Sequence, residues 1–137
     1  MQAITQQWID KAEGDCGSMN REGQVQNAAN YDLVCYLAQQ CAEKYLKGRL
    51  QEANIVFPKT HNLPALLALV LPVEPSWNVL STPLIKLDDY GVEFRYPGNN
   101  ATAADAQAAL QFCRNVREVA RKSFGLPLRT LSPKSSR

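Results

Sequence analysis

The chain has 137 residues, a length that fits one domain with a single hydrophobic core and is too short for two. Its composition, 45% hydrophobic and 20% charged, is that of a globular rather than a disordered protein, and no apolar run approaches the roughly 18 residues of a membrane span. A net charge of +2 does not by itself indicate a nucleic-acid-binding protein. The first residues show no basic segment followed by an apolar stretch, so we predict no secretory signal and expect a cytoplasmic protein without membrane contacts.

The first predicted helix carries an apolar stripe at spacings of three and four residues. The stripe consists of Ile4, Trp8, Ala12, Cys16 and Met19. Gly14 and Gly17 weaken this helix, because each glycine costs about 1 kcal/mol relative to alanine in a helix interior. Packing must therefore hold its second half. Residues 23–30 are predicted to form a loop.

The central helix is predicted over residues 31–53, with Asn30 as its N-cap. Two adjoining apolar stripes indicate a helix that is covered on two sides. These stripes are Tyr31, Cys35, Ala38, Ala42 and Leu46 on one side, and Val34, Leu37, Cys41 and Tyr45 on the other. Polar residues occupy the remaining arc, where Glu43 and Lys47 have the favourable i,i+4 spacing of an ion pair.

A short helix follows, with Thr60 or Asn62 as its cap and Pro64 in its first turn. Strongly apolar residues continue it until Pro72 ends it. Residues 76–90 are predicted to form a further helix, in which Pro83 indicates a kink or a division into two shorter pieces.

The last helix is predicted to begin after Thr102, which forms a capping box with Asp105, and to end at Gly125. Its core stripe recurs at helical spacing. The stripe consists of Ala106, Ala109, Leu110, Cys113, Val116, Ala120 and Phe124. No segment shows the alternation of a strand, so the predicted fold class is all-α, an up-and-down bundle of four to five helices.

The helical domain is predicted over residues 1–125, and residues 126–137 are predicted to form a flexible basic tail. Basic residues are concentrated in residues 114–137, opposed there only by Glu118. They are Arg114, Arg117, Arg121, Lys122, Arg129, Lys134 and Arg137. We favour the interpretation that these residues form a solvated helix face followed by a tail over the interpretation that they form a phosphate-binding patch.

The four cysteines are Cys16, Cys35, Cys41 and Cys113. They include no CxxC pair, so their spacing does not indicate a metal site, and no cofactor is predicted. An even number of cysteines is compatible with disulfides, but a chain without a secretory signal more often keeps its thiols reduced. The favoured prediction is therefore four reduced cysteines, three of them within apolar helical patterns.

The sequence lacks the usual signatures of catalysis and of phosphate binding by glycine-rich loops. It has a single histidine, His61, and its adjacent acidic pair, Asp88 and Asp89, is predicted to be surface charge because neighbouring helical residues point in different directions. Several polar residues nevertheless form a candidate ligand-binding set. They are Gln40, Glu43, Lys44, Lys47, Lys59, Thr60, His61, Arg95 and Tyr96.

Each member of this set also has a purely structural interpretation. Glu43 and Lys47 make an exposed ion pair in that case. Thr60 is then only a helix cap, and His61 only a partner for a buried carbonyl group.

The order of several segments resembles that of the HEPN family (higher eukaryotes and prokaryotes nucleotide-binding). The segments are WIDKAEGD at residues 8–15, YLAQQCAEKYLK at residues 36–47 and PKTHNL at residues 58–63, followed by Tyr90 and by RYP at residues 95–97. The resemblance extends from residue 8 to about residue 124. It implies a helical bundle that often forms homodimers. It also implies frequent pairing with a minimal nucleotidyltransferase in two-component, often toxin–antitoxin, systems.

The chain departs from the pattern of the family's ribonucleases, in which an arginine precedes a histidine by four to six intervening residues. Such an arginine stabilises charge on a phosphodiester, and the histidine transfers protons. The corresponding positions before His61 are Asn54, Ile55 and Val56, and Leu37 stands where relatives frequently have a histidine. The resemblance therefore does not extend to that catalytic motif, and ribonuclease activity by that motif is not expected.

The leading hypothesis is a non-catalytic HEPN protein that binds a nucleotide or an RNA phosphate. In it the chain is a homodimeric accessory subunit, the partner of a nucleotidyltransferase in a toxin–antitoxin-like system. One alternative is a ribonuclease toxin with a non-standard active site that brings Arg95 to His61. Another is a purely structural helical adaptor.

Overall fold

Within residues 1–128, which the computed structural model describes, the chain forms five α-helices and one 3₁₀ helix and contains no strand. The predicted all-α helical bundle is thereby confirmed. Its elements are α1 (Ala3–Gly23), α2 (Tyr31–Glu52), α3 (Leu63–Val70), the 3₁₀ helix (Pro75–Leu80), α4 (Ser81–Glu93) and α5 (Ala103–Ser123). None of these helices combines the length and apolar character needed to cross a membrane.

Helix α2 lies at the centre of the bundle and packs against all four other α-helices. The side chain of Asn30 caps it by accepting a hydrogen bond from the backbone N–H of Leu33 at 3.0 Å, which satisfies a donor that has no partner within the helix. Both predicted apolar stripes face the core: Val34, Cys35, Ala38, Cys41, Ala42, Tyr45 and Leu46 are each at most 1% exposed.

The predicted core face of α1 is wrong in its first half. Ile4 is 45% exposed and Trp8 only partly buried, whereas Thr5 and Ile9 lie inside. The reason is a close approach at Gly48 of α2, where a Cβ atom would lie 3.3 Å from Cβ of Trp8. The same Cβ atom would lie 3.9 Å from Cγ1 of Ile9, so α2 packs at this point against the base of Trp8 and against the buried side chain of Ile9. From Ala12 onward the predicted stripe is correct, and the helix continues through both glycines.

Residues 76–90 form two pieces, one of the two alternatives predicted for them. The 3₁₀ helix buries Trp77 completely, and α4 then runs to Glu93, three residues past the predicted end. Pro83 causes no kink because it is the third residue of α4, where a backbone N–H would have no partner within the helix.

The capping box predicted for α5 is confirmed, with Asp105 N–H donating to Thr102 at 3.1 Å and Thr102 N–H donating to Asp105 at 2.9 Å. After the helix ends, Arg121 donates to the carbonyl of Pro127 at 2.7 Å. The remainder of the predicted tail, residues 129–137, lies outside the described residues.

The prediction of four reduced cysteines is wrong for two of them, because Cys16 and Cys41 form a disulfide. Packing of α1 against α2 places their Cα atoms 5.8 Å apart, a normal separation for a disulfide. Cys35 and Cys113 are free and buried, as predicted. Burial raises the pKa of each of these two thiols to about 12, so both stay protonated at neutral pH.

Reducing the disulfide is expected to lower the free energy of unfolding by about 3 kcal/mol. The bridge spans 25 residues, and a loop of that size restricts the unfolded chain by about this amount. Urea unfolding of the wild type with and without a phosphine reductant measures the effect. A Cys16→Ala, Cys41→Ala double variant is the control and should not respond to the reductant. Equal midpoints for oxidised and reduced wild type would contradict the prediction.

Candidate functional site

The carboxylate of Glu43 is the centre of a polar cluster between α2 and the segment that precedes α3. One oxygen accepts a hydrogen bond from Nζ of Lys47 at 3.0 Å, and the other lies 2.9 Å from Nδ1 of His61. The amide of Gln39 donates to Glu43 at 3.4 Å and to the carbonyl of His61 at 3.1 Å. Side-chain exposure is 4% for Glu43, 9% for Lys47 and 70% for His61. The Glu43–Lys47 pair is therefore buried, and its interpretation as an exposed pair is wrong.

Local sequence explains how these groups meet. Gln39, Glu43 and Lys47 follow one another at intervals of four residues, which places them along one face of α2. Asn62 caps α3 by accepting from the N–H of Ala65 at 2.9 Å, and Thr60 accepts from the N–H of Asn62 at 3.1 Å. Of the two predicted caps, the helix cap is thus Asn62. The capped turn holds the intervening His61 against α2.

The contact with Glu43 determines which nitrogen of His61 is available to a ligand. A neutral imidazole that donates from Nδ1 to the carboxylate leaves Nε2 as an acceptor, and a protonated ring offers Nε2–H as a donor. Among residues 1–128, Nε2 has no hydrogen-bond partner. The exposed edge of His61 is therefore suited either to proton transfer or to a phosphate oxygen.

A groove of about 180 Å³ adjoins this cluster where the C-terminal half of α4 meets α2. Its lining combines neutral amides, one carboxylate and two basic groups. The lining residues are Gln39, His61, Asn62, Asp88, Gly91, Val92 and Arg95. Gly91 permits the close approach of the two helices, because a Cβ atom there would lie 3.2 Å from Cγ of Gln39.

Asp88 is not the simple surface charge that was predicted. It is partly buried, and it accepts a hydrogen bond from the backbone N–H of Leu63 at 3.0 Å. Its carboxylate thereby satisfies a free donor at the start of α3. Asp89 is exposed, as predicted.

The remaining predicted residues separate into three groups. Gln40 joins the cluster by donating to Oε1 of Gln39 at 2.9 Å. Lys59 and Tyr96 are exposed beside His61 and Arg95 in the sequence. Lys44 does not take part, because it forms an ion pair with Asp15 of α1.

The predicted set omitted Gln39, Asn62, Asp88 and Gly91, which all line the groove. Gln39 has a sequence signal, since it precedes Glu43 by four residues on the same helix face. Asp88 and Gly91 reach the groove from α4, and no local pattern connects them with α2.

The basic side chains in and beside the groove differ in whether a carboxylate already neutralises their charge. Lys47 is bonded to Glu43, and its ammonium group lies 5.8 Å from the ring centre of Trp8. Arg95 and Lys59 are exposed and form no ion pair within the part of the chain that the structure describes. The positive charges left without a counter-charge here are therefore those of Arg95 and Lys59, not those of Lys44 and Lys47.

A second polar network pairs two of the arginines of α5 with a carboxylate of α1. The carboxylate of Glu13 accepts two hydrogen bonds from Arg117, both at 2.9 Å, and lies 3.4 Å from the guanidinium of Arg121. The hydroxyl of Tyr45 also donates to it. Since Arg117 is 9% exposed and Arg121 6%, the prediction of a solvated basic face is wrong for both, and neither is placed to bind phosphate from solvent.

These features together describe a helical domain in which the buried carboxylate of Glu43 holds the exposed ring of His61 at the edge of a small polar groove. The chain belongs to the HEPN domain family, whose model matches residues 5–123, and the resemblance found in the sequence is thereby confirmed. No curated protein matches the chain significantly.

Two solved structures have the same fold. The TT1696 protein of Thermus thermophilus has a TM-score of 0.76 and 23% identity over 88% of this chain and 98% of its own. ST0689, described as an archaeal HEPN homologue, has a TM-score of 0.70 and 25% identity over 90% of this chain and 98% of its own. Both likenesses extend over nearly the whole of the compared proteins.

Proposed function

We propose that this chain is a non-catalytic HEPN protein that binds the phosphate of a nucleotide or of RNA in the groove beside His61. The observation that carries the proposal is the meeting of His61 and Arg95 at one groove. The guanidinium of Arg95 thus offers donors to a phosphate oxygen, and so does Nε2–H of His61 when its ring is protonated. The surface lacks the arginine that family ribonucleases place before their histidine. Asp88, in the same groove, supplies an acceptor for a ribose hydroxyl.

The size of the groove favours a homodimer in this proposal. At about 180 Å³ it is smaller than the roughly 300 Å³ at which ligand pockets begin, so a whole nucleotide needs a second surface to cover it. Exposed apolar side chains lie on α2, on α4 and just after α4: Tyr36 is 52% exposed, Val92 57% and Tyr96 61%. A second copy that covers them enlarges the groove and removes this apolar surface from water.

The cellular role and the partner that we propose are based on the family to which the chain belongs. We propose a cytoplasmic accessory subunit that works with a nucleotidyltransferase in a two-component, toxin–antitoxin-like system. Nucleotide binding is measured for the protein alone and again together with the product of an adjacent nucleotidyltransferase gene. The comparison separates intrinsic binding from binding that needs the partner.

Arg95→Ala is expected to weaken ATP binding by about 10- to 100-fold, because a hydrogen bond to a charged group contributes about 1.5–3 kcal/mol. Isothermal titration of the wild type and the variant measures the difference. Arg21→Ala is the matched control, since Arg21 is an exposed arginine of α1 that does not line the groove. Equal affinities for Arg95→Ala and wild type would contradict the proposed site.

The Glu43–His61 contact gives specific support to a second candidate, a ribonuclease with a non-standard active site. A carboxylate bonded to Nδ1 orients an imidazole for acid–base catalysis at Nε2, and Arg95 lies in the same groove. The leading proposal predicts that single-stranded RNA remains intact with purified wild type. Cleavage that disappears in both His61→Ala and Arg95→Ala would establish the ribonuclease instead. If the protein neither binds ATP nor cleaves RNA, the purely structural helical adaptor is the remaining hypothesis.

A further inference from the structure

Sulfur atoms from three helices meet in the core, where α1, α2 and α5 pack together. The Sγ atoms of Cys16, Cys41 and Cys113 all lie within 4.8 Å of one another, and those of Cys16 and Cys113 are 3.6 Å apart. All three side chains are at most 1% exposed. Cys35 is equally buried but does not belong to this group. The core thus holds a disulfide with a third sulfur beside it.

The spacing of the three sulfurs suits a single thiophilic centre once the disulfide is open. Thiolates about 2.3 Å from a shared atom lie roughly 3.5–4 Å from each other in a three-coordinate arrangement. Cys16 and Cys113 already have this spacing. The Cα atoms of Cys16 and Cys41 are 5.8 Å apart, so side-chain rotation alone brings the two released sulfurs to a similar distance.

Charge decides which kind of centre the core accepts. Three thiolates carry three negative charges, and a net charge is costly in an apolar interior. The charged groups that act on Cys113 are Arg114 and Arg117 on α5 and Glu13 and Asp15 on α1, which cancel one another. A monovalent or divalent ion would leave an uncompensated negative charge. A trivalent centre gives a neutral complex.

We propose that the reduced protein binds trivalent arsenic, supplied as arsenite, through Cys16, Cys41 and Cys113. A phosphine first reduces the disulfide: it is oxidised to its phosphine oxide with an oxygen from water, and the two cysteines gain two electrons and two protons. In the binding step three As–O bonds of arsenous acid break and three As–S bonds form. The three thiol protons leave with the hydroxyl groups as three molecules of water, and arsenic stays trivalent.

Mass spectrometry under non-denaturing conditions tests the site with phosphine-reduced protein and sodium arsenite. A tris-thiolate adduct increases the mass by one arsenic atom less three hydrogens, whereas an adduct with two sulfurs keeps a hydroxyl group. We expect the first adduct, at one per chain, in reduced wild type and in reduced Cys35→Ser. In Cys35→Ser only three cysteines remain, so the adduct assigns all three ligands. Oxidised wild type should form none.

Cys113→Ala gives an independent test, with its helical content checked by circular dichroism. Removing one ligand should weaken arsenite binding by at least about tenfold, since losing even an outer-shell partner of a metal site typically has that effect. The proposal is overturned if Cys35→Ser forms no tris-thiolate adduct, if only a hydroxyl-bearing adduct appears, or if oxidised wild type binds as well as reduced. These three outcomes are decisive even if Cys113→Ala does not fold.

Discussion

Glu43→Ala is expected to lower the free energy of unfolding by about 3–5 kcal/mol, because it leaves the ammonium group of Lys47 buried without a counter-charge. The side chain of Lys47 is 9% exposed, and its only ion pair among the described residues is with Glu43 at 3.0 Å. The same substitution removes the hydrogen bonds that Glu43 accepts from Gln39 and shares with His61. Urea unfolding followed by circular dichroism measures the loss.

A double variant separates the two parts of this effect. Glu43→Leu combined with Lys47→Leu removes both charges and fills the space with apolar atoms, which is often close to neutral for a buried pair. We expect the double variant to be more stable than Glu43→Ala while still losing the fixed position of His61. A loss below about 1 kcal/mol for Glu43→Ala, the value of an exposed pair, would show that Lys47 is solvated and that the buried cluster is wrong.

Glu13→Ala is expected to cost about 3 kcal/mol, the lower end for breaking a buried pair, because the side chain of Glu13 is 23% exposed. The change leaves Arg117 and Arg121 without the carboxylate that both contact. It also leaves the hydroxyl of Tyr45 without its acceptor. Asp10→Ala is the matched control on the same helix, since Asp10 is exposed and its side chain, within residues 1–128, accepts a hydrogen bond only from Gln6. Equal losses for the two variants would contradict the prediction.

The same carboxylate should make stability depend on pH. Burial opposes ionisation of Glu13, but hydrogen bonds from Arg117 and Tyr45 and the charges of Arg117 and Arg121 outweigh it and hold its pKa below the ordinary 4.5. A depressed folded-state pKa means that the stabilisation is present above pH 4.5 and is lost as the pH falls through the folded-state pKa. Glu13→Gln should therefore lose stability less steeply in acid than wild type does.

Local patterns predicted the helices well, but not always the face that each one buries. The capping box and core stripe of α5 depend on residues within a few positions of each other, and both predictions were correct. In α1 the same reasoning selected Ile4 and Trp8 for the core, whereas the structure buries Thr5 and Ile9. Spacings of three and four residues fit two neighbouring stripes, and the choice between them depends on tertiary packing, such as the close approach at Gly48.

The candidate site shows the same division between local and tertiary information. The spacing of Glu43 and Lys47 correctly predicted that they pair, but their burial depends on the segment before α3 that crosses α2. Asp88 and Gly91 come from a different helix and have no signal within their own segment. The Cys16–Cys41 disulfide likewise follows from packing of α1 on α2, and so its pairing is not visible in the spacing of the cysteines.

His61 offers the most direct test of the central claim, that this groove binds a phosphate group. Because it is the only histidine of the chain, the Cε1–H group of its imidazole gives a single signal in a carbon–proton NMR spectrum of labelled protein. The proposal predicts that ATP shifts this signal until it saturates, and that Arg95→Ala requires about 10- to 100-fold more ATP for the same shift. ATP binding that leaves the His61 signal unchanged would place the ligand elsewhere and contradict the claim.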